Sequence, residues 1–142
     1  MSIQIIAADE TSRKNAETVI ALYEEMINDK NPMEAVQKYI RSDYIQHNPM
    51  IPDGNMAIGK FFEQVQAVNS RSRVVVHKVI AAGDQVWAFV NFLNFTNNDE
   101  DDLGLAGVDI YRMDENGMLA EHWDAVQEVG DPAKAANRNG VF

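Results

Sequence analysis

The chain has 142 residues, 46% of them hydrophobic and 24% charged, the proportions of one folded domain rather than of a disordered or fibrous chain. It contains no cysteine, which excludes disulfides, thiolate metal sites, iron–sulfur clusters and a cysteine nucleophile. The formal net charge is −10, and residues 97–128 set ten acids against the single base Arg112, so nucleic acid and anionic membranes are poor partners.

No apolar run exceeds five residues, as at 86–90, against the ~20 needed to span a bilayer. Residues 1–9 lack the basic and apolar regions of a signal peptide. The expectation is a single cytoplasmic domain covering 1–142.

The first half reads as helices. Val19, Leu22, Tyr23, Met26 and Ile27 recur at i, i+3, i+4, i+7 and i+8, one apolar stripe of a helix over about 11–29. A second helix starts at Asn31-Pro32-Met33-Glu34, with Asn31 as cap, Pro32 in the first turn and Glu34 at the capping-box position; Met33, Val36 and Ile40 form its apolar face. Residues 43–54 contain Pro49, Pro52 and Gly54 and read as a loop. Ile58, Phe61, Phe62 and Val65 mark a third helix over about 55–68.

The second half reads as four strands. Residues 73–82 are rich in β-branched side chains, and Gly83-Asp84 turns them into a second strand within 85–97. An acidic loop at 98–104 leads to a third strand at 105–113, and Asn116-Gly117 is a hairpin signal before a fourth at 118–129. The tail 130–142 reads as irregular or lightly helical. Helices followed by hairpin-linked strands predict an α+β domain with an antiparallel sheet. Long strands must twist, and helices on one face of a curved sheet leave a concave ligand space.

The candidate chemistry lies in a few polar residues. His122 and Asp124 are two apart in a strand and share a face, with Trp123 on the other. On a buried face they would form an acid/base pair; on an edge strand they would face water. Asp109 interrupts the apolar run Val108-Asp109-Ile110, with Tyr111 on its own face, and points either to solvent or into a polar cavity. Asn91 interrupts Val90 and Phe92 in the same way. His47 lies in Tyr44-Ile45-Gln46-His47-Asn48-Pro49, where a short turn would present polar side chains.

Several familiar signals fail. Gly54 to Lys60 resembles a phosphate loop, but Phe61 replaces the magnesium-binding Ser/Thr and no strand precedes it. Asp99 to Gly104 begins like a calcium loop, but Leu103 and Ile110 occupy ligand positions. The histidines lack metal-ligand spacing, so no metal is expected.

The segments Tyr44-Ile45-Gln46-His47-Asn48-Pro49, Ala81-Ala82-Gly83-Asp84, Asp109-Ile110-Tyr111-Arg112 and Ala120-Glu121-His122-Trp123-Asp124, with Gly117 and the tail Asn137-Arg138-Asn139-Gly140-Val141-Phe142, resemble the SnoaL-like polyketide cyclase branch of the nuclear transport factor 2-like (NTF2-like) superfamily. The resemblance covers nearly the whole chain. It implies a cone-shaped α+β barrel, three helices on a strongly curved antiparallel sheet, a homodimer, and an intramolecular aldol condensation without metal or cofactor. By resemblance Asp124 is the general base that removes a proton alpha to a carbonyl, His122 is its neighbour and His47 a second polar contact. Where the branch often places a histidine in the pocket, this chain has Asn91, which can donate a hydrogen bond but cannot shuttle a proton near neutrality.

The expected substrate is a small hydrophobic ketone held by Trp87, Phe89, Trp123, Phe62 and the methionines, with Tyr44, Asn91, His47 and His122 as donors to the enolate oxygen. Asp109 with Asp124 is the pair an epoxide hydrolase would need. Ketosteroid isomerisation and a non-catalytic module binding a small hydrophobic ligand are the other readings of the same residues.

Overall fold

The computed structural model describes residues 2–142. In chain order, β1 (Gln4–Ala7) is followed by α1 (Glu10–Tyr23), α2 (Pro32–Tyr39), β2 (Ile40–Gln46), α3 (Asn55–Val68), β3 (Arg73–Ala82), β4 (Gln85–Leu93), β5 (Leu105–Met113) and β6 (Leu119–Glu128). The three helices pack on one face of a curved, open sheet of order β1-β3-β4-β5-β6-β2. The expected α+β class holds, and the expected hairpins β3–β4, β4–β5 and β5–β6 are all antiparallel.

The sheet is mixed rather than wholly antiparallel. Two further strands close its ends, both parallel to their neighbours: β1 on β3 and β2 on β6. The second helix stops at Tyr39, and Ile40, expected on its apolar face, opens β2 instead. The loop expected over 43–54 therefore starts only after Gln46. Register shifts in β2, in β3 and at the β5–β6 end kink the ladder locally, as bulges do, and add to the curl.

Local chemistry sets the element ends. Asp9 caps α1 by accepting from the Ser12 N–H at 2.8 Å. Asn31 makes no such bond to the backbone of α2; its side chain donates to Glu34 Oε2 at 2.7 Å instead. The Gly83-Asp84 turn between β3 and β4 places Gly83 at φ +59°, a conformation glycine takes without strain. Beyond Tyr23 the first helix widens into one π turn, Glu24–Asn28. Asn28 then accepts from the Val74 N–H at 2.9 Å and donates to its carbonyl at 3.1 Å, tying the turn to the start of β3.

Strand parity decides which side chains face the helices. Val86, Ala88, Val90 and Phe92 of β4 point inward and are buried, while Trp87 points outward and is half exposed. Ala16, Val19, Leu22, Tyr23, Ile27 and Val36 meet them from the helices. Among the described residues, this core leaves a hollow beneath α3, against β5 and β6.

Candidate functional site

A cavity of about 150 Å³ lies there, between α1, α3 and the concave face of the sheet. Most of its wall is apolar: Leu22, Met26, Ile58, Phe61, Phe62, Phe92 and Phe95. One end is polar and is built by Tyr44, Asn48, Asp109, Tyr111, His122 and Asp124.

The polar end follows from strand pairing. Asp109 of β5 lies directly opposite Asp124 of β6, and Tyr111 opposite His122. On the far side of β6, Gln46 of β2 lies opposite His122. Asp109 and His122 are buried, at 3% and 6% exposure, so the alternatives in which they face water fall away.

Hydrogen bonds run through these residues as a chain. Tyr111 donates to the Tyr23 hydroxyl at 3.0 Å, and Tyr23 donates to Asp109 Oδ2 at 2.5 Å. The other oxygen of Asp109 meets His122 Nε2 at 2.9 Å. His122 Nδ1 meets Gln46 Oε1 at 2.6 Å. Asp124 stands apart from this chain, with Oδ2 3.9 Å from His122 Nε2. It accepts from Asn48 Nδ2 at 2.9 and 3.2 Å. The His122 ring is stacked between Tyr111, at a centroid distance of 4.9 Å, and Tyr44, at 6.3 Å.

Burial pushes the phenols of Tyr23, Tyr44 and Tyr111 well above their ordinary value of 10, with the Asp109 charge acting in the same direction. All three remain neutral donors across the neutral range. The native state thus holds phenolic protons that the unfolded chain releases above pH 10, so this contribution to stability is complete below that value and is lost as pH rises. We expect alkaline denaturation to steepen above pH 10 by up to about 1.4 kcal/mol per pH unit for each buried phenol. The tyrosinate absorbance of these three should rise only together with loss of circular dichroism; phenolate formation in the folded protein would contradict this.

The structure gathers Asp124, His122, Asp109, Tyr44 and Phe62 on the cavity wall. It does not bring five other expected residues there, namely His47, Trp123, Trp87, Asn91 and Phe89, the last of which shares the outward parity of Trp87 in β4. His47 points away from the cavity, stacks on Trp123 at 4.7 Å and bonds Glu121 Oε2 at 2.7 Å. Trp123 lies with it on the outer face. Trp87 is outward for the parity reason given above, so neither tryptophan can hold a ligand in this cavity. Asn91 shares the outer parity of Trp87, and its Oδ1 is buried without a hydrogen-bond partner beside Gly104. His47 and Arg112 both bond Glu121 and hold its carboxyl below the usual range, His47 foremost.

Sequence reasoning passed over Gln46, Asn48 and Tyr23. Gln46 and Asn48 flank His47 by one residue each way, and the two-residue strand period that pairs His122 with Asp124 also sets these two on one face. Tyr23 carried no signal, because it sits in the apolar stripe of α1. As for metals, Asp109, His122 and Asp124 each offer a ligand atom within 4.8 Å of one another and are the residues that could hold a cation, although hydrogen bonds already occupy all three.

Solved structures share this architecture at low sequence identity. A candidate polyketide cyclase from Bacillus cereus ATCC 10987 aligns with a TM-score of 0.73 at 13% identity, over 89% of this chain and 86% of that one. An NTF2-like protein of unknown function from Mesorhizobium loti aligns at 0.67 and 18%, over 88% and 99%. A candidate SnoaL-like polyketide cyclase from Jannaschia sp. CCS1 aligns at 0.66 and 18%, over 84% and 89%. These likenesses establish the NTF2-like α+β cone. No curated protein matches the chain. The SnoaL-like domain model matches residues 19–122, from the middle of α1 to His122 itself, and the chain belongs to the SnoaL-like domain family.

Proposed function

We propose that the protein abstracts a proton alpha to the carbonyl of a small hydrophobic ketone and uses the enolate in an intramolecular aldol condensation, with Asp124 as base. The observation that carries this reading is the isolation of Asp124. Asp109 is committed to Tyr23 and His122, whereas Asp124 accepts only from Asn48 among the described residues and lines the cavity.

In the proposed step the Asp124 carboxylate takes the α-proton and the C–H electron pair becomes the enolate double bond. The carbonyl oxygen takes the negative charge. The Tyr44 hydroxyl is the donor placed to meet it: it lines the cavity, stays protonated, and bonds no protein group among the described residues. A donor of this kind in a dry site is worth about 3 kcal/mol to the developing oxyanion. The enolate carbon then attacks a second carbonyl of the same molecule, and the resulting alkoxide recovers the proton from Asp124. No cofactor enters this scheme. The proposal carries a cytoplasmic homodimer, with the exposed Ile80 and Trp87 of the outer sheet face as the surface a second copy would cover.

An apolar hollow of about 150 Å³ is the size that takes one benzene ring. We expect 2-tetralone, a bicyclic ketone that can insert a single ring, to exchange its α-protons with deuterium oxide in the presence of the protein, followed by proton NMR. A four-ring 3-ketosteroid should exchange no faster than in buffer. The converse ranking favours the isomerase reading. Hydrolysis of a small epoxide with no ketone exchange favours the paired carboxylates of Asp109 and Asp124 as water activators.

A further inference from the structure

We infer that Gln46 is a positioning residue that fixes the protonation pattern of His122, holding it as an imidazolium clamped to Asp109 and so reserving Asp124 as the free base.

The orientation of the Gln46 carboxamide is set by a group that can only donate. The backbone N–H of Asn48 meets Oε1 at 3.0 Å, so that atom is the oxygen. The 2.6 Å contact from Oε1 to His122 Nδ1 must then carry its proton on Nδ1. A neutral imidazole has one N–H, which leaves Nε2 bare unless a second proton is present. Nε2 faces Asp109 Oδ1 at 2.9 Å, so a proton lies between them. The opposite oxygen of Asp109 already accepts from Tyr23, whose hydroxyl accepts in turn from Tyr111, so Asp109 acts as the acceptor of the network and the shared proton is assigned to Nε2. The ionisable groups facing the ring are Tyr44 from β2, Asp109 and Tyr111 from β5, Asp124 from β6 and, through Asp109, Tyr23 from α1.

A second observation concerns the rest of the carboxamide. Gln46 Nε2 is buried with no hydrogen-bond partner. A buried donor left unpaired is a cost that folds ordinarily avoid. Gln46 is therefore held here for its oxygen alone. Asn48 obeys the same rule two residues on: Met50 N–H fixes its Oδ1 at 2.9 Å and turns Nδ2 toward Asp124.

The kinetic part of this inference rests on the proposed proton abstraction; the protonation pattern does not. The test is long-range proton–nitrogen NMR of the full-length protein labelled with ¹⁵N-histidine, at pH 7, with the His122 signal assigned by its loss in His122→Gln. The wild type should show both ring nitrogens of His122 protonated. Gln46→Met, close in shape but without the acceptor, should lose the proton on Nδ1, and Gln46→Glu should keep it. In 2-tetralone exchange, Gln46→Met should lower kcat about 10- to 100-fold with little change in KM, the scale seen when the partner orienting a functional imidazole is removed. Gln46→Glu should recover most of that loss. A bare Nδ1 in the wild type overturns the inference whether or not any variant folds. So does an unchanged doubly protonated ring in Gln46→Met. Absence of ketone exchange in the wild type removes the proposed reaction while the spectra still decide the role of Gln46.

Discussion

Replacing Asp124 with asparagine should reduce the rate of α-proton exchange of 2-tetralone by about 10²- to 10⁴-fold, the span ascribed to a positioned general base. The change is small in every other respect. Asparagine keeps the shape and an oxygen that accepts from Asn48 Nδ2, now 2.9 Å from Asp124 Oδ2. The melting temperature should therefore move by only a few degrees, and 2-tetralone should still bind, as read by quenching or shift perturbation. His47→Ala is the matched control: the residue lies outside the cavity, and its pair with Glu121 is a surface contact of the kind worth about 0–1 kcal/mol. It should exchange the ketone at the wild-type rate. Full exchange by Asp124→Asn would remove the base assignment, and loss of exchange in His47→Ala would return that histidine to the reaction.

The second large effect is on stability. Asp109→Leu should destabilise the fold by about 3–5 kcal/mol, because a buried charge loses its counter-ion. The carboxylate joins α1 to β5 and β6 through Tyr23 and His122, and its removal leaves the Tyr23 hydroxyl and His122 Nε2 without acceptors in a site only a few per cent exposed. For a chain of this size the melting temperature should fall by more than about 10 °C. Tyr23→Phe removes one donor to the carboxylate and the acceptor of the buried Tyr111 hydroxyl, and should cost about 1–3 kcal/mol, less than Asp109→Leu because the carboxylate keeps its bond to His122. Thermal unfolding followed by circular dichroism measures both. Equal losses for the two variants would mean that Asp109 is not the centre of the network.

The helices and hairpins were legible because their signals are local. A stripe such as Val19, Leu22, Tyr23, Met26 and Ile27 needs only its own neighbours to declare a helix, and Gly83-Asp84 needs only its own backbone. The edge strands were not legible for the converse reason. β1 is four residues long, and β2 reads Ile-Arg-Ser-Asp-Tyr-Ile-Gln, with no alternation that separates it from the loop that follows. Both owe their existence to partners far away in the chain, β3 and β6. The same limit shaped the site. Spacing places His122 and Asp124 on one face, but burial by α1 and α3 selects which face that is. Chemical reactivity draws the eye to His47, yet the pairing of Gln46 with His122 turns Gln46 and Asn48 inward and His47 outward. In β4 the large Trp87 suggests a ligand wall, while the inward positions go to Val86, Ala88 and Val90, whose small volumes admit the close approach of α1.

The end of β2 thus divides its labour between two environments. Its inward pair is bound to buried His122 and to Asp124 on the cavity wall, while His47 belongs to a patch with Trp123 and Glu121 that water can reach. Such a division makes the two sides of one strand end answer to different surroundings: a change at His47 alters what solvent meets, whereas a change at Gln46 or Asn48 reaches His122 or Asp124 directly.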